Sequence, residues 1–231
     1  MDSAASELIP GFAADSLAQS YIGSRALMFD APGEFEIAVQ QRIWSLADHL
    51  AQWSEVEEVV AGVTNLLVIL TRTGCQDPQA IVQRIQAAWR SLPPKTVAGR
   101  LIDIPVTYGG DAAIDLDAVA RHTGLTPAEI VRIHSQGHYT VVTVASSPGF
   151  GYLHGLDTRI NMPRKTTPSL NMPAGSVTIG GMLTGVAVTT GPNGWNAIGF
   201  SDMRLFDPNA AEPSVLRAGD RVRFVPERIL L

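Results

Sequence analysis

The stretch from Pro148 to Val177 contains three turns bounded by glycine or proline: Pro148–Asp157 (PGFGYLHGLD), Pro163–Pro168 (PRKTTP) and Pro173–Val177 (PAGSV). Glycine and proline interrupt the hydrogen-bond ladder of a strand and favour unusual backbone angles. An aromatic pair and a cationic pair lie among these turns. The stretch therefore predicts a shaped surface in a β-rich region and not a plain core strand.

The composition of the 231-residue chain is that of a folded globular protein. Hydrophobic residues make up 45% of the chain and charged residues 17%, which leaves enough apolar surface for a core. The net charge is −5, and no basic stripe could neutralise a phosphate backbone, so we expect no nucleic-acid partner. Cys75 is the only cysteine, and no histidine cluster has the spacing of zinc ligands, so we expect no metal site.

The sequence shows no targeting or membrane signal. Met1–Glu7 lacks the basic and apolar regions of a signal peptide. No apolar run reaches the roughly 18 residues that a transmembrane helix needs. We therefore expect a cytoplasmic protein without a membrane partner.

Residues 1–107 alternate between strand and helix patterns. Apolar residues recur every three or four positions from Phe35 to Trp53 and from Ile81 to Leu92, which indicates two amphipathic helices. The strand candidates are Arg25–Phe29, Val56–Val60, Asn65–Leu70 and Arg100–Val106. The order β-α-β-β-α-β predicts a ferredoxin-like α+β domain over residues 1–107, with both helices on one face of the sheet.

Residues 108–231 read as a second, mainly-β domain. The part of the chain from residue 105 holds 15 of the 21 glycines and 10 of the 15 prolines. A helical pair begins near Asp115 and Thr126, and short Val- and Thr-rich strands follow it. Gly191–Gly194 (GPNG) has the sequence of a hairpin turn. Many short strands without long helices predict a closed barrel or a sandwich.

A series of landmarks in this second part resembles one known family. The landmarks are Pro105–Gly110 (PVTYGG), His122–Leu125 (HTGL), Ile133–Ser135 (IHS), Pro148–Phe150 (PGF), Gly155–Asp157 (GLD), Pro173–Val177 (PAGSV), Gly191–Trp195 (GPNGW) and Arg217–Phe224 (RAGDRVRF). In this order and spacing they resemble the KipI / PxpB family, also called allophanate hydrolase subunit 1 or the B subunit of 5-oxoprolinase. The resemblance is dense from residue 105 and thin before it.

The resemblance implies a fold and an assembly. The implied fold is a small N-terminal α/β domain followed by a cyclophilin-like β-barrel. The implied partners are a KipA-type (PxpC-like) subunit and, in 5-oxoprolinase, a LamB/YcsF-type (PxpA-like) subunit. That complex opens the lactam of 5-oxo-L-proline to glutamate, driven by ATP hydrolysis.

The chain itself has no nucleotide motif and no legible nucleophile–base pair. We therefore expect that it binds no cofactor alone and that any active site is shared between subunits.

Two alternative functions stay open. KipI itself inhibits a sporulation histidine kinase, so this chain could be a regulatory binding protein of that type. Related domains form the carboxyltransferase part of biotin-dependent urea carboxylase. The chain could therefore serve a related amide, urea or lactam hydrolase or carboxyltransferase with another small substrate.

Three polar positions of the family pattern are changed in this chain. The family has Gln where this chain has Leu183, and Arg where it has Ser169 and Phe200. A bidentate contact between arginine and a carboxylate is not replaced by serine or phenylalanine. The changes predict lost or altered recognition of the usual family ligand.

Candidate site residues come from the turns and from one histidine. His134 lies near the end of a helix. It is interpreted either as a structural residue bonded to a backbone carbonyl, or as a functional residue that acts as a catalytic general base or contacts a ligand. Arg164 is the best candidate for anion or partner binding, because Pro163 and Pro168 restrict its loop. The candidate substrate- or partner-binding residues are Pro148, Gly149, Phe150, Tyr152, Arg159, Arg164, Lys165 and Thr167.

Overall fold

The computed structural model describes residues 16–231. The chain separates into two compact units, of which one ends at Thr96 and the other begins at Val97. The sequence pattern predicts a later boundary, between residues 107 and 108, because the strand candidate before residue 107 continues the α/β pattern of the first domain. The stretch Met1–Glu7, which lacks the features of a signal peptide, lies outside the described residues.

The first unit is an antiparallel sheet with two helices. Its elements are β1 (Ala18–Ile22), β2 (Ala26–Asp30), α1 (Ile37–Leu50), β3 (Val56–Ala61), β4 (Asn65–Leu70) and α2 (Pro78–Ser91). The strands pair in the order β1-β2-β4-β3. The apolar stripes of the two helices supply Ile43, Leu46 and Ile85, which are fully buried in one core with Leu66 and Val68 of β4.

The predicted ferredoxin-like arrangement needs one correction. The prediction has its fourth strand after α2, at Arg100–Val106, but that segment pairs with strands of the second unit. The edge next to β2 is occupied by β1, which precedes β2 in the chain. Between Ala18 and Ser91 the first unit therefore has the chain order β-β-α-β-β-α. Pairing partners far apart in sequence decide where the strand belongs, and local pattern carries no information about them.

The second unit is a closed seven-stranded barrel, one of the two architectures that the strand pattern predicts. Its elements are β5 (Leu101–Gly109), α3 (Leu116–Thr123), α4 (Pro127–Gln136), β6 (Tyr139–Val144), β7 (Gly151–His154), β8 (Ser169–Met172), β9 (Ser176–Gly180), β10 (Leu183–Val186), β11 (Gly191–Asn193), β12 (Asn196–Phe200) and β13 (Arg221–Leu230). The barrel order is β10-β7-β6-β13-β5-β12-β9, and β8 pairs with β11 in a separate two-stranded sheet.

Strand β5 pairs with a barrel strand along each of its two edges. It pairs in parallel with β13 along its whole length, from Leu101 opposite Arg221 to Gly109 opposite Leu230. Its other edge pairs with β12. The barrel interior contains fully buried side chains from several strands, among them Val106, Val141 and Ile179.

Local signals place α4 correctly, but the hairpin signal at residues 191–194 is misleading. Thr126 accepts a hydrogen bond from the Glu129 amide, and Glu129 accepts one from the Thr126 amide, which is the predicted capping box. Gly191–Asn193 forms β11, which pairs with β8 and does not turn one barrel strand into the next. Within residues 16–231, none of the helices has the length and apolar character required to cross a membrane.

Candidate functional site

A cavity of about 350 Å³ lies beside the barrel, on the surface that the turn-rich stretch builds. Three segments enclose it: the turn between β6 and β7, the loop before β8, and residues 187–195. Among the predicted site residues, Phe150, Tyr152 and Arg164 line this cavity. Other lining residues are Ser146, Ser147, Thr189, Thr190, Asn193 and Trp195.

Three aromatic rings form one wall of the cavity. Phe150, Tyr152 and Trp195 meet edge to face, with ring centroids 5.0 to 5.7 Å apart, a separation at which such pairs are attractive. Phe150 and Trp195 are buried, whereas Tyr152 is half-buried. These three rings pack against one another and also line the cavity.

The turn before β7 lies partly in the cavity lining and partly outside it. Gly149 has φ +80°, and a Cβ at this position would lie 2.7 Å from the Cβ of Phe206, so only glycine fits without displacing a neighbour. Pro148 is exposed. Neither Pro148 nor Gly149 is part of the lining. Ser146 lies in the turn at the cavity, and its hydroxyl is hydrogen-bonded to the Tyr152 hydroxyl.

The predicted cations differ in their pairing. The Lys165 ammonium lies 2.8 Å from Asp115 Oδ2 and 2.6 Å from Ser169 Oγ, and this ion pair is mostly buried. The Arg159 guanidinium is bound to Asp157, and hydrogen bonds from this side chain and from the Arg159 backbone amide lower the pKa of that carboxyl to about 2. Arg164 is exposed and has no hydrogen-bond or ion-pair partner among residues 16–231. Arg164 is therefore the cation that remains available to a ligand.

Arg159, Lys165 and Thr167 do not line the cavity. Thr167 is exposed on the loop before β8. The structure thus brings Phe150, Tyr152 and Arg164 together, and it places the other predicted turn residues around them. Their role in binding stays a prediction.

His134 lies in the barrel unit with none of its surface exposed. Its Nδ1 is 2.7 Å from the Tyr108 hydroxyl, and its Nε2 is 2.8 Å from the Thr184 hydroxyl. Thr184 donates its own proton to the Thr178 carbonyl, so it accepts from Nε2–H and leaves Nδ1 as the acceptor for Tyr108. Both nitrogens are therefore satisfied, and burial lowers the pKa of His134 to about 3.

This geometry favours the structural interpretation of His134, with different partners. The sequence suggests a backbone carbonyl as the partner of the ring, whereas the ring binds two hydroxyl groups. The His134 backbone carbonyl in turn accepts a hydrogen bond from the Tyr139 hydroxyl at 2.7 Å. His134 does not line the cavity, and its catalytic role stays an untested prediction.

The three positions at which the family resemblance implies a change lie outside the cavity lining. Ser169 is bonded to Lys165, and Leu183 lies in the hairpin between β9 and β10, opposite Gly180. Phe200 lines a neighbouring hollow of about 570 Å³, which shares the segment Ala187–Thr189 with the cavity. A change at these three positions would therefore remove no polar group from the described cavity lining.

Sequence reasoning misses two residues that define the site. Trp195 closes the aromatic wall, and Asp115 fixes Lys165 while also accepting a hydrogen bond from the Ala197 amide at 2.8 Å. Trp195 follows the GPNG motif directly, and the interpretation of that motif as a hairpin turn hides its role. No local signal connects Asp115 with Lys165, because they lie 50 residues apart.

The chemistry of the lining suits binding more than catalysis by this chain alone. The lining combines one guanidinium, several hydroxyl groups and an aromatic wall, and such a lining can hold a small polar molecule with an apolar body. The described lining residues include no carboxylate, imidazole or thiol. A general base would have to come from elsewhere.

Comparison with known proteins shows the family. The model of the carboxyltransferase domain, subdomain C and D, matches residues 17–216. A B subunit of 5-oxoprolinase from Escherichia coli O157:H7 is 39% identical over 90% of this chain and 94% of its own length. A B subunit of 5-oxoprolinase from Haemophilus influenzae (strain ATCC 51907 / DSM 11121 / KW20 / Rd) is 39% identical over 91% of this chain and 98% of its own length.

Solved structures share the fold. The structure of TTHA0988 matches with a TM-score of 0.72 and 28% identity over 88% of this chain, and this chain spans 40% of that protein. The Kluyveromyces lactis urea carboxylase matches with a TM-score of 0.75 over 95% of this chain and 22% of its own length. At 17% identity, that second likeness concerns the fold alone. The chain belongs to the family of 5-oxoprolinase B subunits and carries subdomains C and D of the carboxyltransferase domain.

Proposed function

We propose that this protein is the B-type subunit of an ATP-dependent 5-oxoprolinase, which converts 5-oxo-L-proline to L-glutamate. The similarity to two curated B subunits over nearly their full length carries this proposal. The proposed partners are a KipA/PxpC-like subunit and a LamB/YcsF (PxpA)-like subunit. In this proposal the barrel has the cyclophilin-like topology of the family and the complex works in the cytoplasm.

The site supports a shared mechanism. The cavity offers a guanidinium, hydroxyl groups and an aromatic wall, but its described lining contains no side chain able to act as a base near neutral pH. Lactam opening needs a nucleophile and proton transfer at the amide nitrogen. We assign binding and orientation of the substrate to this chain and the remaining catalytic groups, together with ATP, to its partners.

Co-expression with the partner subunits tests the assembly. We expect this chain to elute with a KipA-like subunit in size-exclusion chromatography. The assembled complex should hydrolyse ATP faster when 5-oxo-L-proline is added. A verified complex whose ATPase rate does not respond to 5-oxo-L-proline would count against the proposal.

The second candidate function is that of a carboxyltransferase subunit. It is favoured by the match of residues 17–216 to subdomains C and D of the carboxyltransferase domain. It would take a small amide or urea in place of 5-oxoproline. Turnover of such an amide by the same complex, without turnover of 5-oxo-L-proline, would favour this alternative. Inhibition of a histidine kinase rests on the family resemblance alone.

A further inference from the structure

Among residues 16–231, the cavity lining contains one positive charge without a compensating partner. Arg164 lines the cavity without a hydrogen-bond or ion-pair partner among the described residues. The neighbouring Lys165 is neutralised by Asp115. The described lining has no acidic side chain. The net effect is a site that favours a ligand with a single negative charge.

The backbone of Arg164 is held on both sides. The amide of Lys165 donates to the Gly194 carbonyl at 2.7 Å, and the Asn196 side chain donates to the Pro163 carbonyl at 3.0 Å. A Cβ built on Gly194 would lie 3.6 Å from Arg164 Nε, so the guanidinium lies close to this glycine. A cation on a fixed backbone loses less conformational freedom when it binds a ligand.

The aromatic wall lines the same cavity as this charge. Tyr152 and Trp195 line the same cavity as Arg164, with their ring centroids 5.7 Å apart. A volume of about 350 Å³ suits a small molecule and not a peptide. A cavity that contains both a cation and an aromatic wall matches a small ring that bears one carboxylate.

We propose that Arg164 binds the carboxylate of a small cyclic acid in this cavity and that the ring of the acid contacts Tyr152 and Trp195. The choice of 5-oxo-L-proline as that acid rests on the proposed function. Lys165 lies outside the cavity lining, and its ion pair with Asp115 holds the loop that carries Arg164.

Calorimetric titration of the full chain tests the proposal with two probes. The probes are 5-oxo-L-proline and 2-pyrrolidinone, which has the same lactam ring without a carboxylate. The wild-type protein should bind the acid at least roughly tenfold more tightly, since a hydrogen bond between two charged groups is worth about that much. Arg164→Met should abolish this preference while leaving the affinity for 2-pyrrolidinone unchanged.

Arg121→Met is the matched control. Arg121 is an exposed arginine on α3 outside the cavity lining, and its loss should leave both affinities as in the wild type. The proposal is overturned if the wild-type chain binds neither probe, if Arg164→Met keeps the preference for the acid, or if it weakens both probes equally.

The reconstituted complex separates this proposal from the proposed function. If the complex turns over 5-oxo-L-proline and Arg164→Met leaves KM unchanged, the proposal on Arg164 fails and the function stands. If the complex shows no turnover while the chain still binds the acid through Arg164, the function fails and the binding site stands. If the proposed function and the role of Arg164 are both correct, Arg164→Met should raise the KM for 5-oxo-L-proline about tenfold, with a smaller change in kcat.

Discussion

The imidazole of His134 is neutral because of where it lies and what surrounds it. Tyr108 donates to Nδ1 and Thr184 accepts from Nε2–H, so a second ring proton would meet a hydroxyl that already donates to the ring. The ring packs among aromatic side chains, with the Phe224 centroid 4.5 Å away. A charged imidazole would lose its hydration without gaining an anionic partner.

The lowered pKa of His134 predicts a pH-dependent stability. In the unfolded chain the imidazole has its ordinary pKa of 6.5, and in the folded protein the pKa is about 3. Between these values only the unfolded state binds the proton, so stability falls as the pH falls through this window. Below pH 6 the free energy of unfolding decreases by up to about 1.4 kcal/mol for each pH unit. Urea unfolding of the wild type and of His134→Gln from pH 7 to pH 4.5 measures it.

The free energy of unfolding of His134→Gln should fall less steeply with decreasing pH than that of the wild type, by up to about 1.4 kcal/mol per pH unit. This difference in slope does not depend on the stability of the variant at pH 7. His154 is half-buried and its pKa is lowered by burial, so it contributes a slope of the same sign in both proteins. Equal slopes would contradict the description of His134. If the variant fails to fold, NMR of the wild-type ring offers the same test, because we expect no titration of His134 above pH 4.

Strand β9 ends at a glycine that leaves room for the aromatic wall. A Cβ on Gly180 would lie 2.5 Å from ring atoms of Trp195. Gly180 is also the residue opposite Leu183 in the hairpin between β9 and β10. The strand and the cavity wall therefore depend on the same position.

Gly180→Ala should destabilise the barrel by about 1–3 kcal/mol, because the added methyl group overpacks against the indole of Trp195. The near-UV circular dichroism of the aromatic cluster should change as well. Gly191→Ala is the control, since a Cβ there meets nothing within 4 Å, and it should stay within about 0.5 kcal/mol of the wild type. Similar unfolding midpoints for the two variants would contradict the packing described for Trp195.

Elements with local signals are predictable from the sequence, and elements defined by distant partners are not. Helix α4 begins where its capping box predicts. In contrast, β11 pairs with β8, which lies about 20 residues earlier, so its GPNG sequence resembles a turn only locally. The same distinction holds at the site. Phe150, Tyr152 and Arg164 stand in one recognisable stretch, whereas Trp195 reaches the cavity only through the folded barrel.

The boundary between the two units depends on β5. This strand is paired on one edge with β12 and on the other with β13, so the barrel cannot close without it. The residues from Val97 onward also have their own hydrophobic core. The barrel unit is therefore expected to fold on its own if, and only if, it contains β5.

Two fragments test this expectation. Residues 97–231 should give a cooperative thermal transition and a β-type circular dichroism spectrum. Residues 108–231, which follow the boundary that the sequence pattern predicts, lack most of β5 and should be unfolded or aggregated. A folded, cooperative 108–231 fragment would contradict the role of β5 in the barrel.

The protein as a whole is interpreted as a binding component that completes a 5-oxoprolinase. The measurement that tests this interpretation is the rate at which glutamate forms from 5-oxo-L-proline in the presence of ATP. The partner subunits are assayed with and without this chain. We predict that glutamate forms only in the complete mixture, and that Arg121→Met supports the wild-type rate. No glutamate from a complex whose assembly has been verified, or equal rates without this chain, would contradict it.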